Sequence, residues 1–282
     1  MKKQEFLKKF KDYLLLNGKT LSTTTTYLSH VKSFIDYLNI NNIQLSTITT
    51  TPTTTLEGVV GRYILDRGSR CSIKTTNNDT MVVDWLLKYF NLEIKTPKLR
   101  RAIQKLPEHI DLTFLEEEVI PLIDEDTFRN PEKAIAVLYL LFFTGIRQSE
   151  LICLRRENFD FEKRTLKIFE VKKKRERMVF FNQKVSEAVQ RYFGTEEEEQ
   201  NAFNLGSQGV SYIFRKLREV GRFEINLHPH LLRHSFSIYV LEQGIDLATL
   251  SELLGHENIA TTMIYAKKTN TKLKEIYDKH IK

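Results

Sequence analysis

Apolar positions in the first third of the chain repeat at helical spacing. In residues 3–16 they fall at Phe6, Leu7, Phe10, Tyr13 and Leu14, and Asn17-Gly18 supplies a stop. A second stripe runs through Tyr27, Val31, Phe34, Ile35 and Leu38, with Ser22 placed to cap its first turn. The threonine-rich stretch STITTTPTTTLEG breaks this periodicity with Pro52 and β-branched residues, which predicts a loop leading into a helix over 56–66. MVVDWLLKYFNL then closes a small all-helical domain. The segment after it, EIKTPKLRRAIQKLP, is basic, holds two prolines and lacks apolar periodicity, as expected of a linker lying on an anionic surface.

A second domain opens at LTFLEEEVIPLI, where Thr113 and Glu116 form a capping-box pattern. PEKAIAVLYLLFF is apolar on nearly all sides and so should be a central, buried helix. RTLKIFEV and ERMVFF read as short strands joined through KKKR into a hairpin. From 185 to 282 the pattern is again helical, punctuated by GTEEEEQ, Gly221 and Gly255, and no internal repeat is visible. The expected fold is mainly α with a small β-hairpin or sheet (α+β). It comprises a helical domain over 1–94, a basic linker over 95–106 and a second domain over 107–282, ending in a tail helix over 270–282 with an apolar stripe at Leu273, Ile276, Tyr277 and Ile281.

Composition narrows the class. With 282 residues, 41% hydrophobic and 28% charged, the chain is long enough for two cores and is neither disordered nor fibrous. The longest apolar run, 134–143, has about half the length of a membrane span, and the basic N-terminus lacks a signal-peptide core, so a cytoplasmic protein without a membrane partner is expected. Cys71 and Cys153 are too few for a disulfide framework and sit among apolar residues, as inert core thiols would. The net charge of +7 is uneven: residues 1–106 carry 17 Lys+Arg against 8 Asp+Glu. A basic first third suits a polyanion, because each phosphate neutralised releases counterions. Solubility alone would also explain it.

Several motifs carry candidate chemistry. In TGIRQSELICL, Gly145 lets the chain turn, and Arg147 lies three residues before Glu150, which can hold its guanidinium as a structural ion pair or as part of a site. In VKKKRER, lysines at a β-turn are either solvated guards of a sheet edge or a general acid carried on a mobile turn. HPHLLRHSF, residues 228–236, poses a choice between a metal and an anion. Pro229 fits the first helical position, so His230, Arg233 and His234 share one face. The histidine spacing suits zinc, but the motif has no carboxylate and Arg233 would repel the cation. Arg233 and His230 suit phosphate oxygens instead, since a guanidinium fork binds two of them and an imidazole can also move protons. His234 is then left with an interior packing role. In ATLSELLGHENIATTMIYAK, Gly255 is a helix C-cap, His256 projects from the helix end, and Thr261 or Thr262 caps a turn carrying Tyr265. Tyr265 is either packing or a nucleophile toward phosphorus.

Taken in order, Arg147 in TGIRQSEL, the hairpin lysine, HLLR at 230–233, LLGH ending at His256 and TTMIY ending at Tyr265 resemble the tyrosine recombinase family of phage-integrase and Xer-type site-specific recombinases. TLSTTTTYLSHVKSFIDYL resembles that family's small helical, SAM-like core-binding domain, so the likeness covers nearly the whole chain. The resemblance implies a two-domain, C-shaped DNA clamp. It implies Tyr265 as nucleophile, Arg147 and Arg233 as phosphate clamps, His230 as proton-transfer group, His256 as a further phosphate donor and Glu150 as support. The family's KxR ending places the general acid at Lys172, although the usual flanking glycines are absent and Lys173 and Lys174 are alternatives. It also implies cleavage of double-stranded DNA at a specific site through a 3′-phosphotyrosine, without metal, ATP or other cofactor. The protein would be a monomer or dimer off DNA and four protomers around two duplexes, exchanging strands through a four-way junction. Two other classes fit part of the pattern: a DNA-binding protein of the same descent without strand transfer, and a monomeric topoisomerase-like relaxing enzyme.

Overall fold

The computed structural model describes residues 3–97, 107–170, 175–195, 201–256, 258 and 261–265. The hairpin turn 171–174, the tail 266–282, most of the expected linker and the acidic run 196–200 lie outside the described residues. The chain divides into two compact units, Met1–Gln104 and Lys105–Lys282.

The first unit is helical: α1 (Lys3–Leu16), α2 (Leu21–Ile40), α3 (Thr53–Arg70) and α4 (Ile73–Tyr89). The apolar stripes meet in one core built on Phe6, Phe10, Leu14, Phe34, Leu38, Ile64 and Leu86. Two local expectations change. Thr20, not Ser22, caps α2, its hydroxyl accepting from Thr23 N at 3.2 Å. Ser22 is already inside the first turn. The threonine-rich stretch is not a plain loop either. Leu45–Thr50 forms a 3₁₀ turn that buries Leu45 and Ile48, and α3 starts at Thr53, directly after Pro52, and runs to Arg70. Threonine is tolerated because its hydroxyl can bond within the turn: Thr47 donates to Gln44 O, and Thr50 and Thr51 donate to Thr47 O. Burial of one face then outweighs propensity.

The second unit begins with α5 (Leu112–Phe114), which runs on as a π-turn over Leu115–Val119 and a 3₁₀ turn over Ile120–Leu122. Its cap is Asp111, whose carboxylate accepts from Phe114 N at 2.8 Å, so the Thr113 capping box does not form. The stronger anionic acceptor two residues earlier takes the role and places Thr113 inside the helix. Next come α6 (Pro131–Thr144), α7 (Gln148–Leu151), strands β1 (Phe159–Asp160), β2 (Thr165–Glu170) and β3 (Arg175–Phe180), and helices α8 (Gln183–Thr195), α9 (Ser207–Gly221), α10 (Pro229–Glu242) and α11 (Leu247–Leu254). A 3₁₀ turn over Met263–Tyr265 ends the described chain.

As its composition dictates, α6 is the buried centre, packed by α8 and α10. The antiparallel sheet has the order β1-β2-β3, so the hairpin is present with one short strand added to it. Leu166 pairs with Val179 and Ile168 with Arg177. Period-two alternation therefore sends Glu170, Arg175 and Arg177 to the face that buries Leu166 and Ile168. The cysteines are not core thiols: Cys71 is half-buried and Cys153 exposed. Both lie just past helix ends, Cys71 after Arg70 and Cys153 after Ile152, outside the buried stripes. Among the described residues no helix is long and apolar enough to cross a membrane.

Candidate active site

Two helix ends and one helix start build the site. The first end is the C-terminus of α6, closed by Gly145 in the left-handed conformation at φ 60°. A Cβ at Gly145 would also run into the Phe236 ring of α10, so only glycine lets α10 approach here. Two residues on, the Arg147 guanidinium donates to Glu150 Oε1 at 2.9 Å, and its backbone N–H donates to Glu150 Oε2 at 2.7 Å. Glu150 is buried and fixes both the chain and the guanidinium.

The start of α10 follows the expected register. Pro229 is its first residue, and the imidazole of His228 is the cap, Nδ1 accepting from Leu231 N at 2.9 Å. Burial pushes the His228 pKa down, which keeps that nitrogen an acceptor. His230 stands exposed at the first turn, whereas Arg233 is buried at 6% exposure. Arg233 donates to Gly145 O at the end of α6, to Leu254 O at the end of α11 (2.8 Å) and to His256 Nε2 (3.1 Å). Both carbonyls sit at helix C-termini, where the macrodipole favours a cation.

The third element is the end of α11. Gly255, at φ 64°, turns the chain toward His256. A Cβ there would lie 2.5 Å from Glu170 Oε1 and 2.9 Å from Arg177 Nε, so the glycine is required by packing as well as by conformation. Because a guanidinium only donates, His256 Nε2 accepts from Arg233, and Nδ1 donates to the buried Thr262 hydroxyl at 2.9 Å. Thr262 thus spends its hydroxyl on His256. Tyr265 is buried at 2% exposure against Phe236, Leu250 and Leu254, and its hydroxyl meets Nδ1 of His234. His234 therefore does not have the packing role expected of it. That structural part falls to His228, because a helix cap demands an acceptor at the residue before Pro229, while the next turn carries His234 to Tyr265.

These side chains converge on one cavity of about 430 Å³, lined by Arg147, His230, Arg233, His234, His256 and Tyr265 among others. The cavity is electropositive by construction. Burial, then the Arg147 charge, presses the Arg233 pKa down to about 9, which leaves it charged at neutral pH and favours an incoming anion. Burial raises the Tyr265 pKa, while the Ser237 hydroxyl and Arg233 act in the opposite sense, so the phenol is protonated at rest. Among the described residues no His, Cys, Asp or Glu cluster has the makings of a metal site. Lys172, Lys173 and Lys174 lie outside the described residues.

Sequence reasoning missed the layer behind the cavity. Arg177 of β3, 10% exposed, donates to Glu150 Oε2 at 3.1 Å and to Leu253 O at 2.9 Å, and its Nε lies 3.1 Å from Glu170 Oε1. Arg175 holds the other Glu170 oxygen at 3.1 Å. One arginine thus ties the hairpin to the carboxylate that positions Arg147 and to the helix end that carries His256. The signal was available: continuing the Leu166, Ile168 alternation puts Glu170 inside, and a buried carboxylate needs buried cations across the ladder.

A cation-lined cavity with a tyrosine among its lining residues is suited to binding a phosphodiester and transferring it to the phenolic oxygen. The chain belongs to the phage integrase family, whose model matches residues 113–272. It is 30% identical to tyrosine recombinase XerA of Pyrococcus furiosus over 289 residues, covering 98% of this chain and 94% of that one. It is 33% identical to tyrosine recombinase XerC of Actinobacillus pleuropneumoniae over 196 residues, 66% of this chain and 61% of the relative. Its fold is similar to that of the XerH site-specific recombinase bound to palindromic difH substrate in a post-cleavage complex, with a TM-score of 0.69 at 20% identity over 92% of this chain and 79% of that one. It is similar also to the Tn1549 transposon integrase in complex with transposon right-end DNA, with a TM-score of 0.69 at 17% identity over 96% and 98% of the two chains.

Proposed function

We propose that this protein is a site-specific recombinase that cuts and rejoins double-stranded DNA through Tyr265. The observation that carries the reading is that Tyr265, its hydroxyl against His234, lines the same cavity as Arg147 and Arg233. A scissile phosphate held there sits beside two guanidinium groups that neutralise the charge gathering on its nonbridging oxygens. Tyr265 attacks phosphorus, forming a 3′-phosphotyrosine, and the 5′ oxygen leaves. A hairpin lysine protonates that oxygen, Lys172 by the family's KxR ending with Lys173 and Lys174 as alternatives, His230 is the proton-transfer group, and His256, which holds Arg233, is a further phosphate donor. The phosphodiester energy stays in the protein linkage, so no ATP or other cofactor is consumed.

The relatives named above support the further reading. Residues 1–94 form the core-binding domain and 95–106 a linker on the duplex. Four protomers, monomers or dimers before they meet DNA, join two duplexes in the cytoplasm and exchange strands through a four-way junction. The test is a covalent trap. Wild type and Tyr265→Phe are incubated with a pool of nicked duplexes drawn from the DNA flanking the gene, and the products are separated under denaturing conditions. A denaturant-resistant adduct with wild type alone is expected, and sequencing its DNA identifies the site. Specific binding without an adduct would leave a DNA-binding protein and overturn strand transfer.

A further inference from the structure

The lysines 172–174 are joined to the described strands by one pair of residues. Glu170 ends β2, Arg175 begins β3, and the two face each other across the ladder. The Glu170 carboxylate is buried at 4% exposure, with Arg175 Nε donating to Oε2 at 3.1 Å and Arg177 Nε lying 3.1 Å from Oε1. The same Oε1 is 2.5 Å from where a Cβ on Gly255 would stand, so the carboxylate rests against the backbone turn that leads to His256.

Charge balance does not call for a buried carboxylate here. Arg177 already donates to Glu150 Oε2 at 3.1 Å and to Leu253 O at 2.9 Å, and Arg175 is more than half exposed, where water would serve it as well. Packing does not call for one either. Leu166 and Ile168 fill the preceding inward positions of β2, and a third aliphatic side chain would continue them without the desolvation that a carboxylate costs. What the carboxylate adds is direction. It ties the ends of both strands together through Arg175 and Arg177, and sets them against the end of α11.

We infer that Glu170 is a positioning residue for the leaving-group acid: it fixes the strand ends that carry the hairpin lysine at a set distance from Gly255, and so from the phosphate site of Arg233 and His256. The inference rests on the strand-transfer reading above. In the step concerned, the Tyr265 oxygen bonds to phosphorus, its proton passing to the proton-transfer group, and the P–O5′ bond breaks. O5′ takes a proton from the lysine ammonium, which is left as an amine. A lysine side chain is a flexible stem bearing a point charge, so its aim depends on the backbone beneath it. A displacement of about 1 Å there can cost on the order of 10²-fold in rate.

The nicked duplex recovered in the covalent trap is used in two forms, one ordinary and one with sulfur in place of the bridging 5′ oxygen. A thiolate leaves without being protonated and an alkoxide does not, so sulfur erases a defect that lies in the acid. Glu170→Gln keeps the shape of the side chain and loses the charge that holds two arginines. It is expected to bind the duplex as wild type does and to form adduct about 10- to 100-fold more slowly on the ordinary form, yet within about threefold of wild type on the sulfur form. Lys172→Met, Lys173→Met and Lys174→Met, made singly, identify the lysine with the same signature. Adding Glu170→Gln to that variant should cost nothing more, because both changes act on one proton transfer.

A Glu170→Gln defect of equal size on the two duplexes would overturn the proposal and assign Glu170 to the phosphate clamp or the fold. A rate within about threefold of wild type on the ordinary duplex would reduce it to a counter-ion. If sulfur rescues none of the lysine variants, no acid stands on the hairpin and Glu170 positions nothing, while the wild-type adduct leaves strand transfer intact. Absence of any adduct with wild type on either duplex would instead remove strand transfer itself, and the positioning role with it.

Discussion

Each unit packs an arginine against its core, Arg67 half-buried in the first and Arg233 buried in the second, and the two are held in opposite ways. In the first unit, Asp79 of α4 is almost fully buried and receives Arg67 Nε at 2.8 Å from α3, with His30 Nδ1 at 2.5 Å from α2. The hydrogen bond to Asp79 raises the Arg67 pKa, so that cation is more stable in the fold than in water. Arg233 bonds instead to the backbone carbonyls of Gly145 and Leu254, and burial lowers its pKa. Helix C-termini hold a guanidinium in place but supply only partial charge. The first cluster is electrostatically closed and pins three helices. The second is positioned but not neutralised, and an anion such as phosphate completes it. An arginine packed against a core marks nothing by itself. What balances it decides whether the residue is structural or a binding group.

The sharpest way to break this comparison is Asp79→Ala. The half-buried Arg67 and His30 would then lose the buried acceptor they share, and loss of about 1–3 kcal/mol from the unfolding free energy is expected by urea titration. A loss under about 1 kcal/mol would mean that the cluster is not closed in the sense argued. Arg233→Lys tests the other side. An ammonium cannot span Gly145 O, Leu254 O and a phosphate as the planar fork does. Adduct formation should fall by about 10²–10³-fold, close to the effect of deleting one preorganised donor to a developing oxyanion. Inorganic sulfate should also raise the melting temperature of wild type more than that of Arg233→Lys, and equal shifts would deny that this arginine is the one awaiting an anion.

Arg177→Met sharpens the comparison from behind. Glu150 and Glu170 keep Arg147 and Arg175 respectively but lose the arginine between them. A cost of about 1–3 kcal/mol is expected for the impaired buried carboxylates. Adduct formation should fall as well, because Glu150 no longer holds Arg147 from a fixed position. Wild-type adduct rates in a destabilised Arg177→Met would show that the layer supports the fold and not the site.

The elements that could be read directly from the chain are those whose signal is local and repeated. The stripes of α1, α2 and α4, the all-apolar α6 and the alternation in β2 each fix a face, so both cores were legible. Turn and cap signals at Gly145, Pro229 and Gly255 set the backbone around the motif residues Arg147, Glu150, Arg233, His256 and Tyr265, while their grouping into one site was read from the family resemblance. The failures share a different cause. Ser22 and Thr113 lost their caps to Thr20 and Asp111, choices between neighbouring acceptors worth about 1 kcal/mol, which tertiary packing easily decides. His234 and Arg177 were misjudged or overlooked because their partners, Tyr265 and Glu150, are distant in sequence. No local pattern says which of His228, His230 and His234 will cap, face solvent or meet a tyrosine. The folded order of α10, α11 and the last turn decides that.

The smallest effect expected is a dependence of stability on acid. The His234 pKa is about 4 in the fold against an ordinary 6.5, so the folded protein refuses a proton that the unfolded chain accepts. Above pH 6.5 both forms are neutral and the group contributes nothing to the pH dependence. As pH falls from 6.5 toward 4 the unfolded state alone takes up the proton, so stability decreases, and below 4 the loss levels off. For a half-exposed ring screened by solvent this amounts to on the order of 1–2 kcal/mol. His228, also shifted down, adds in the same sense. Urea titrations at pH 6.5, 5.5 and 4.5 should show the slope, and His234→Asn should flatten part of it. Hydrogen exchange should assign the loss to the Lys105–Lys282 unit. An undiminished slope in His234→Asn would mean that this imidazole titrates alike in the folded and unfolded chain and that the loss of stability comes from His228 or other groups.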